Sequence, residues 1–356
     1  MILKTNIKEI LEEKFAPVTV IVPAYNEEST ISQTLHSLTH QSNIPESIIV
    51  IDDFSSDRTG KIARSFGVNV IRPSQNTGSK AGAQSFALPM VTSKYTIAID
   101  ADTSLDPDAI EKMVDFMEKN PDAAASCSFV LPKKISTIWE RGRFIEYVFA
   151  FTFYKRIQDW YGKPLISSGC FSIYRTDELK AAGGWSNRTM AEDMDLTWTL
   201  YENGKIVRFN PDVFCFPIEP DNLKMMSNQL TRWSHGLFQN LKIHWKKIKK
   251  VPVLREIVAA VIADVFIGGA IAFVVGPAVA IAFKNPWWLA YGLASDFLFI
   301  GIPVIWKGWK LRKLGEVLTS LPGFYLLRWV NAFFLYKAAI KEYILNKPLT
   351  KYEKGH

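Results

Sequence analysis

From residue 18 to about residue 215 the hydrophobic pattern keeps changing period, and this alternation restricts the fold more than any other feature of the chain. "VTVIVP", "SIIVIDD", "VNVIRP" and "YTIAIDAD" are short β-branched runs, which predict buried strands. Between them "STISQTLHSLTHQ", with Ser29 in capping position, "DRTGKIARSF" and "SKAGAQSFAL" carry helical spacing. "DPDAIEKMVDFMEK" predicts a further helix, capped by Asp106 with Pro107 in its first turn. Strands alternating with helices predict a parallel sheet covered on both faces. In such sheets ligands sit beyond the C-terminal strand ends, and the acidic residues fall there.

The remaining third of the chain is different. Residues 257–283 carry one charge, Asp264, and residues 286–306 carry one, Asp296; each run reaches the ~20 residues that a bilayer span needs. The three-residue link "KNP" predicts a helical hairpin. A third apolar stretch, 317–344, is broken by Pro322, Gly323, Arg328, Lys337 and Lys341, and reads first as an interfacial amphipathic segment, second as a third span. The basic flanks "KIHWKKIKKVPVLR" and "KGWKLRK" place residues 1–250 in the cytoplasm by the positive-inside rule. The expected localisation is the plasma membrane, multi-pass, with residues 1–250 on the cytoplasmic side. The net charge of +7 reads as attraction to anionic lipid rather than nucleic acid. The N-terminus "MILKTNIKEILEEKF" reads as an amphipathic helix, not a signal peptide. The three cysteines make no metal pattern and fit a reducing compartment. The expected organisation is thus a helix at 1–15, a cytoplasmic α/β domain at 16–250, a transmembrane hairpin at 251–310, and an interfacial or spanning segment with a basic tail at 311–356.

Several clusters carry chemistry. Asp52 and Asp53 end a strand in "IDDFSSD", which fits either an Asx-capped turn or nucleotide recognition. Asp100 and Asp102, two apart at the end of another strand, can point the same way. Converging carboxylates repel unless a cation lies between them, and hard oxygens suit Mg²⁺ or Mn²⁺ bridging to a diphosphate. Glu192, Asp193 and Asp195 begin a helix, as partners of its dipole or, for one of them, as a general base. In "NTGSKAGAQS", Lys80 at a helix start is placed to hold a phosphate. His36 and His40 read as a solvated helix face, and His235 as either a site-lining or an interfacial residue. In "QLTRW", Gln229, Arg232 and Trp233 share one helical face.

Taken in order, "VIVPAYNEE", "VIDDFSSDRTG", "NTGSKAGA", "DADTSLDPDAI", "SSGCFSIYR", "GGW", "AEDMDLT" and "QLTRW" resemble the membrane-bound family 2 glycosyltransferases, which include cellulose, chitin, hyaluronan and poly-N-acetylglucosamine synthases. The resemblance covers residues 16–245. It implies an α/β GT-A domain (a Rossmann-like nucleotide-diphospho-sugar transferase) followed by C-terminal transmembrane or interfacial helices. It implies inverting transfer from a UDP-sugar, carrying N-acetylglucosamine or glucose, to a growing β-linked glycan or a lipid-linked acceptor. By similarity Tyr25 and Glu27 flank the uracil and ribose, and Asp53 binds the nucleotide. Asp100 and Asp102 position the metal diphosphate, and Asp193 is the general base. Gln229, Arg232 and Trp233 hold the diphosphate and the acceptor sugar. The chain departs from the pattern at Gln84 and Ser85, where leucine and asparagine are more usual. Expected partners are donor, acceptor and membrane lipid, without nucleic acid and with self-association left open. A polyprenyl-phosphate sugar synthase, or a single-sugar glycolipid synthase, is the alternative within this fold. A non-catalytic nucleotide-sugar-binding membrane protein is the alternative of another class.

Overall fold

A computed structural model of the protein describes residues 15–263 and 276–350. The chain forms two compact units, one of residues 1–133 and 162–218, the other of residues 134–161 and 219–356. The expected N-terminal helix lies outside the described residues except for Phe15, which begins the first strand. So do residues 264–275 of the first expected span.

The first unit holds an eight-stranded sheet in the order β3-β2-β1-β4-β7-β6-β8-β5. Its strands are β1 (Phe15–Ala24), β2 (Ile44–Asp52), β3 (Asn69–Ile71), β4 (Tyr95–Ile99), β5 (Ser104–Leu105), β6 (Ala123–Val130), β7 (Phe171–Arg175) and β8 (Ile206–Phe216). The first four are parallel, as the alternation predicts. Val20, Ile21, Val22, Val50, Ile51, Ile97 and Ile99 are fully buried, so these β-branched runs supply the centre of the core. The sheet as a whole is mixed, which corrects the all-parallel expectation. β7 runs antiparallel to β4 and β6, and β5 runs antiparallel to β8.

Helices α1 (Ile31–Thr39), α2 (Thr59–Ser65), α3 (Lys80–Ala87) and α4 (Ala109–Lys119) connect the first strands, and α7 (Thr176–Ala181) and α8 (Glu192–Glu202) follow later in the unit. Two caps shift from their expected positions. α1 is capped at Thr30, not Ser29, and the Thr30 hydroxyl donates to Glu27 Oε2 at 2.6 Å. The N-cap position of α4 falls at Asp108, not Asp106, with no side-chain capping bond; the Asp106 carbonyl accepts from Gln41 Nε2 (2.8 Å) and from the amide of Ala109 (3.1 Å). Ser79 caps α3 by accepting from Gly82 N–H at 3.0 Å.

The second unit is helical among its described residues. α5 (Ile138–Phe149) starts in a capping box, in which Thr137 Oγ1 accepts from Glu140 N–H and Glu140 accepts from Thr137 N–H. A π-turn, Ala150–Tyr154, leads into α6 (Lys155–Trp160). α9 (Leu223–Ile248) carries the "QLTRW" stretch, and α10 (Pro252–Ala263), α11 (Gly276–Ala282), α12 (Trp287–Lys310) and α13 (Leu314–Ala339) follow. α13 runs unbroken through Pro322 and Gly323, which the sequence reading takes as interruptions. Gly323 is required for close approach to α5: a Cβ there would lie 2.5 Å from the Ile138 carbonyl, and one at Gly142 would lie 2.6 Å from the Gly323 carbonyl. Met226 and Leu230 of α9 pack with Leu327 of α13 in a buried cluster flanked by Trp139, Val330 and Phe334.

No described helix is long and apolar enough to cross a membrane. This corrects the expected multi-pass plasma-membrane localisation; the expected hairpin falls in part on residues 264–275, outside the described residues.

Candidate active site

The site of the first unit is built by strand register. β1 and β2 end together, with Ala24 opposite Asp52, and β4 runs parallel beside β1. Tyr25 and Glu27, Asp52 and Asp53, and Asp100 and Asp102 therefore follow strand ends on one edge of the sheet. Phe171 opens β7 opposite Ile99, which brings the 168–170 loop to the same edge; the Cys170 carbonyl accepts from Asp100 N–H at 3.3 Å.

The Asp pair divides its work. Asp52, buried, meets Arg72 Nη1 at 2.6 Å and accepts from Ser55 N–H at 3.0 Å. Asp53 accepts from the amide (2.8 Å) and the hydroxyl (2.9 Å) of Thr77, which ties the end of β2 to the loop before α3. Phe54 turns through a positive φ of 68° and lies exposed under the Arg72 guanidinium, 4.9 Å from Cζ to ring centroid. Tyr25 is also exposed, whereas Glu27 is buried and its amide donates to Thr59 Oγ1 at 2.7 Å. Two aromatic faces and a set of fixed polar groups thus border the ends of β1 and β2.

Lys80, at the start of α3, joins the remaining acids. Its ammonium pairs with Asp100, lies 3.5 Å from Glu192 Oε1 and donates to the Gly169 carbonyl at 3.0 Å. The amide of the same glycine donates to Asp193 Oδ2 at 2.9 Å, and Met194 N–H donates to Oδ1 at 2.8 Å. Burial alone would lower the Lys80 pKa, but Asp100, Glu192 and Asp193 outweigh it and leave it well above its ordinary value. Burial, together with the charge on Glu192, raises the Asp193 carboxyl to about 6, against the pull of Lys80 and two backbone amides. Asp195, third of the acids, is held in a fork by Arg188 Nε and Nη2 at 2.7–3.1 Å and is buried; it fixes the helix.

Asp102 is buried and accepts from Thr103 Oγ1 at 3.0 Å. Among the described residues no three His, Cys, Asp or Glu side chains are grouped to hold a metal ion. Asp100 and Asp102 still fit a hard divalent cation of the kind bound through one or two carboxylates, with the other ligands drawn from a diphosphate.

In the second unit, Gln229 and Trp233 both meet Arg143 of α5. Arg232 sits between them, half-buried. His235 neither lines this face nor lies at an exposed interface. It is buried, with Nδ1 2.7 Å from Glu342 Oε1. His36 and His40 stack on the exposed face of α1, as expected. Cys170 and Cys215, distant in sequence, lie with sulfurs 3.7 Å apart. Arg72, Phe54, Thr77 and Gly169 are missed by sequence reasoning. For Gly169 the available signal is the "SSGC" run, whose glycine permits the approach of Lys80 and Asp193; a Cβ there would lie 2.8 Å from Lys80 Nζ and 3.0 Å from Asp193 Oδ2.

Residues 19–182 match the family model described as glycosyl transferase family 2. The poly-beta-1,6-N-acetyl-D-glucosamine synthase of Staphylococcus epidermidis is 28% identical over 237 residues, which cover 65% of this chain and 57% of that protein. The same enzyme of Staphylococcus aureus strain COL is 26% identical over 231 residues, 64% of this chain and 56% of the relative. The chain therefore spans less than two thirds of the length of these relatives. Among solved structures, the mannosyltransferase PcManGT from Pyrobaculum calidifontis, in complex with GDP-Man and Mn²⁺, matches with a TM-score of 0.59 at 19% identity, over 96% of this chain and 93% of that one. Its likeness bears on fold alone and agrees with a GT-A type of α/β domain. The acids of three strand ends, all within the stretch that matches the glycosyl transferase family 2 model, thus gather with those of one helix start at one sheet edge, and the chain is similar over about two thirds of its length to poly-beta-1,6-N-acetyl-D-glucosamine synthases.

Proposed function

We propose that the protein transfers N-acetylglucosamine from UDP-N-acetylglucosamine, with inversion at the anomeric carbon, to a hydroxyl of a β-linked glycan. The observation that carries the reaction type is Asp193, a carboxylate fixed by two backbone amides beside a buried ammonium and raised to about 6. Such a group is ionised at neutral pH and remains basic enough to take a proton. The choice of sugar follows the poly-N-acetylglucosamine synthases to which the chain is similar.

In this reading Asp193 removes the proton of the acceptor hydroxyl as that oxygen attacks the anomeric carbon and the bond to the diphosphate breaks. The sugar passes through an oxocarbenium-like state. Lys80, kept protonated by its three acidic neighbours, supplies positive charge to the leaving diphosphate. Tyr25 and Glu27 border the base and ribose, and Asp53 binds the nucleotide. Asp100 and Asp102 would hold Mg²⁺ or Mn²⁺, which offsets charge on the diphosphate when bound. The resemblance assigns Arg232 to the diphosphate and Trp233 to the acceptor sugar. Trp233 has the apolar face on which a pyranose stacks.

A donor screen tests the reading. Purified full chain is given UDP-N-acetylglucosamine, UDP-glucose or GDP-mannose with an N-acetylglucosamine oligosaccharide, in Mg²⁺ and in Mn²⁺. Nucleotide release and product anomeric configuration are read by proton NMR. The expected result is UDP release from UDP-N-acetylglucosamine and a new β linkage. An α linkage, or turnover of GDP-mannose alone, contradicts it.

A further inference from the structure

One buried side chain grips two members of the "QLTRW" face. Arg143 of α5 is fully buried. Its Nη2 donates to Gln229 Oε1 at 2.6 Å, and its guanidinium lies over the Trp233 ring, 4.7 Å from Cζ to centroid. Nη1 donates to Glu146 Oε2 at 2.5 Å, and Nε faces Glu219 Oε2 at 3.4 Å. The carboxylates are held in turn. Tyr147 donates its hydroxyl to Glu219 Oε1 at 2.8 Å, and Asn331 of α13 donates to Glu146 Oε1 at 2.9 Å.

The cost of burying this guanidinium shows what it is for. Buried ion networks add little stability over apolar packing of the same volume, and apolar packing is available here in the adjoining Met226, Leu230 and Leu327 cluster. What a planar fork adds is direction: it fixes an amide plane and an aromatic plane together. The Gln229 amide is engaged at both ends, its oxygen by Arg143 and its nitrogen by Glu219 Oε2 at 3.4 Å. Trp233 differs. Its ring is held by Arg143, yet 37% of its surface stays exposed. The helix thus presents one oriented aromatic surface, with a glutamine used internally to orient it.

We propose that Arg143 is a positioning residue that sets the plane of Trp233 for the acceptor sugar, and that Gln229 serves as its bracket and not as a substrate ligand. The acceptor part of this proposal rests on the reading of Trp233 given above; the orientation part does not. Arg143→Lys keeps the charge between Glu146 and Glu219 but cannot place one nitrogen on Gln229 and a flat cation on Trp233 at once. Gln229→Met removes the bracket.

The experiment compares full-chain wild type, Arg143→Lys and Gln229→Met, each labelled with 5-fluorotryptophan, the Trp233 resonance being assigned by its loss in Trp233→Phe. Fluorine NMR reads the ring environment, and steady-state kinetics read donor and acceptor KM. The expected result is a shifted or broadened Trp233 resonance in both variants. Acceptor KM should rise about tenfold or more, with donor KM within about twofold of wild type. An unchanged Trp233 resonance in folded Arg143→Lys overturns the proposal, as does a rise in donor KM that matches or exceeds the rise in acceptor KM. If wild type turns over no UDP-sugar, the functional reading fails while the resonance still decides the positioning role. If Arg143→Lys does not fold, Gln229→Met decides it by the same two readouts.

Discussion

Replacing Gly169 by alanine is the smallest change that separates a built constellation from a chance cluster of charges. The added methyl would lie 2.8 Å from Lys80 Nζ and 3.0 Å from Asp193 Oδ2. Ordinary van der Waals contact begins near 3.4 Å, so the two groups must retreat by about 0.6 Å and 0.4 Å. Both are anchored. Lys80 also binds Asp100, and Asp193 accepts from Met194 N–H, so retreat disturbs their partners as well. A displacement of about 1 Å from productive geometry costs on the order of a hundredfold in rate, so about half of that predicts roughly a tenfold loss of kcat for Gly169→Ala. Donor KM should change less, because Asp53 and the ends of β1 and β2 lie on other elements. The assay is continuous UDP release at saturating donor and acceptor, with a thermal melt to confirm folding. A folded Gly169→Ala enzyme with kcat within about twofold of wild type refutes the argument, because the methyl would then have met nothing that matters to the rate.

Two further outcomes follow from the same structure. Burial favours the neutral form of Asp193 and raises it to about 6, so the base is lost as pH falls through that value; log kcat/KM should drop with unit slope below about pH 6 and level off above it. In unit two, Gly142→Ala drives a methyl to 2.6 Å from the Gly323 carbonyl, so α5 and α13 must separate. Overpacking of this kind costs about 1–3 kcal/mol, read as a fall in Tm of several degrees without a change in donor KM.

Much of the first unit is legible in the sequence because its signal is local. β1, β2 and β4 are β-branched runs, and each ends on the acids that matter. β6, "AAASCSFV", is less visible because alanine and serine carry little strand propensity, although all eight residues are buried. β8 contains Pro211, which argues against a central strand. The sheet absorbs it by a register shift in which Ser128 pairs with Asn210 and Phe129 with Phe214. The antiparallel entry of β7 is a tertiary matter, and it is this strand that delivers Gly169 to Asp193.

The apolar tail shows the opposite failure. Composition over 257–306 satisfies a length rule for spanning a bilayer, yet no described helix is long and apolar enough to cross one. Lys80 is singled out for phosphate by its place at a helix start, yet its link to the base through Gly169 joins residues far apart in the chain. The spacing in "QLTRW" places three side chains on one face. It does not say that Arg143, some eighty residues earlier, holds two of them.

The central claim is that Asp193 is the base of an inverting sugar transfer, and Asp193→Asn addresses it most directly. The amide keeps an acceptor for Gly169 N–H and removes the charge. Because the folded-state pKa of Asp193 is raised, its ionised form works against folding as pH rises from the ordinary carboxylate range through about 6, so the amide should not lower Tm at pH 8. The decisive measurement is single-turnover transfer from UDP-N-acetylglucosamine at pH 8, alongside donor affinity by calorimetry. The account predicts a rate loss of at least about a hundredfold with donor affinity within about threefold of wild type. Transfer at the wild-type rate by a folded Asp193→Asn enzyme would contradict it.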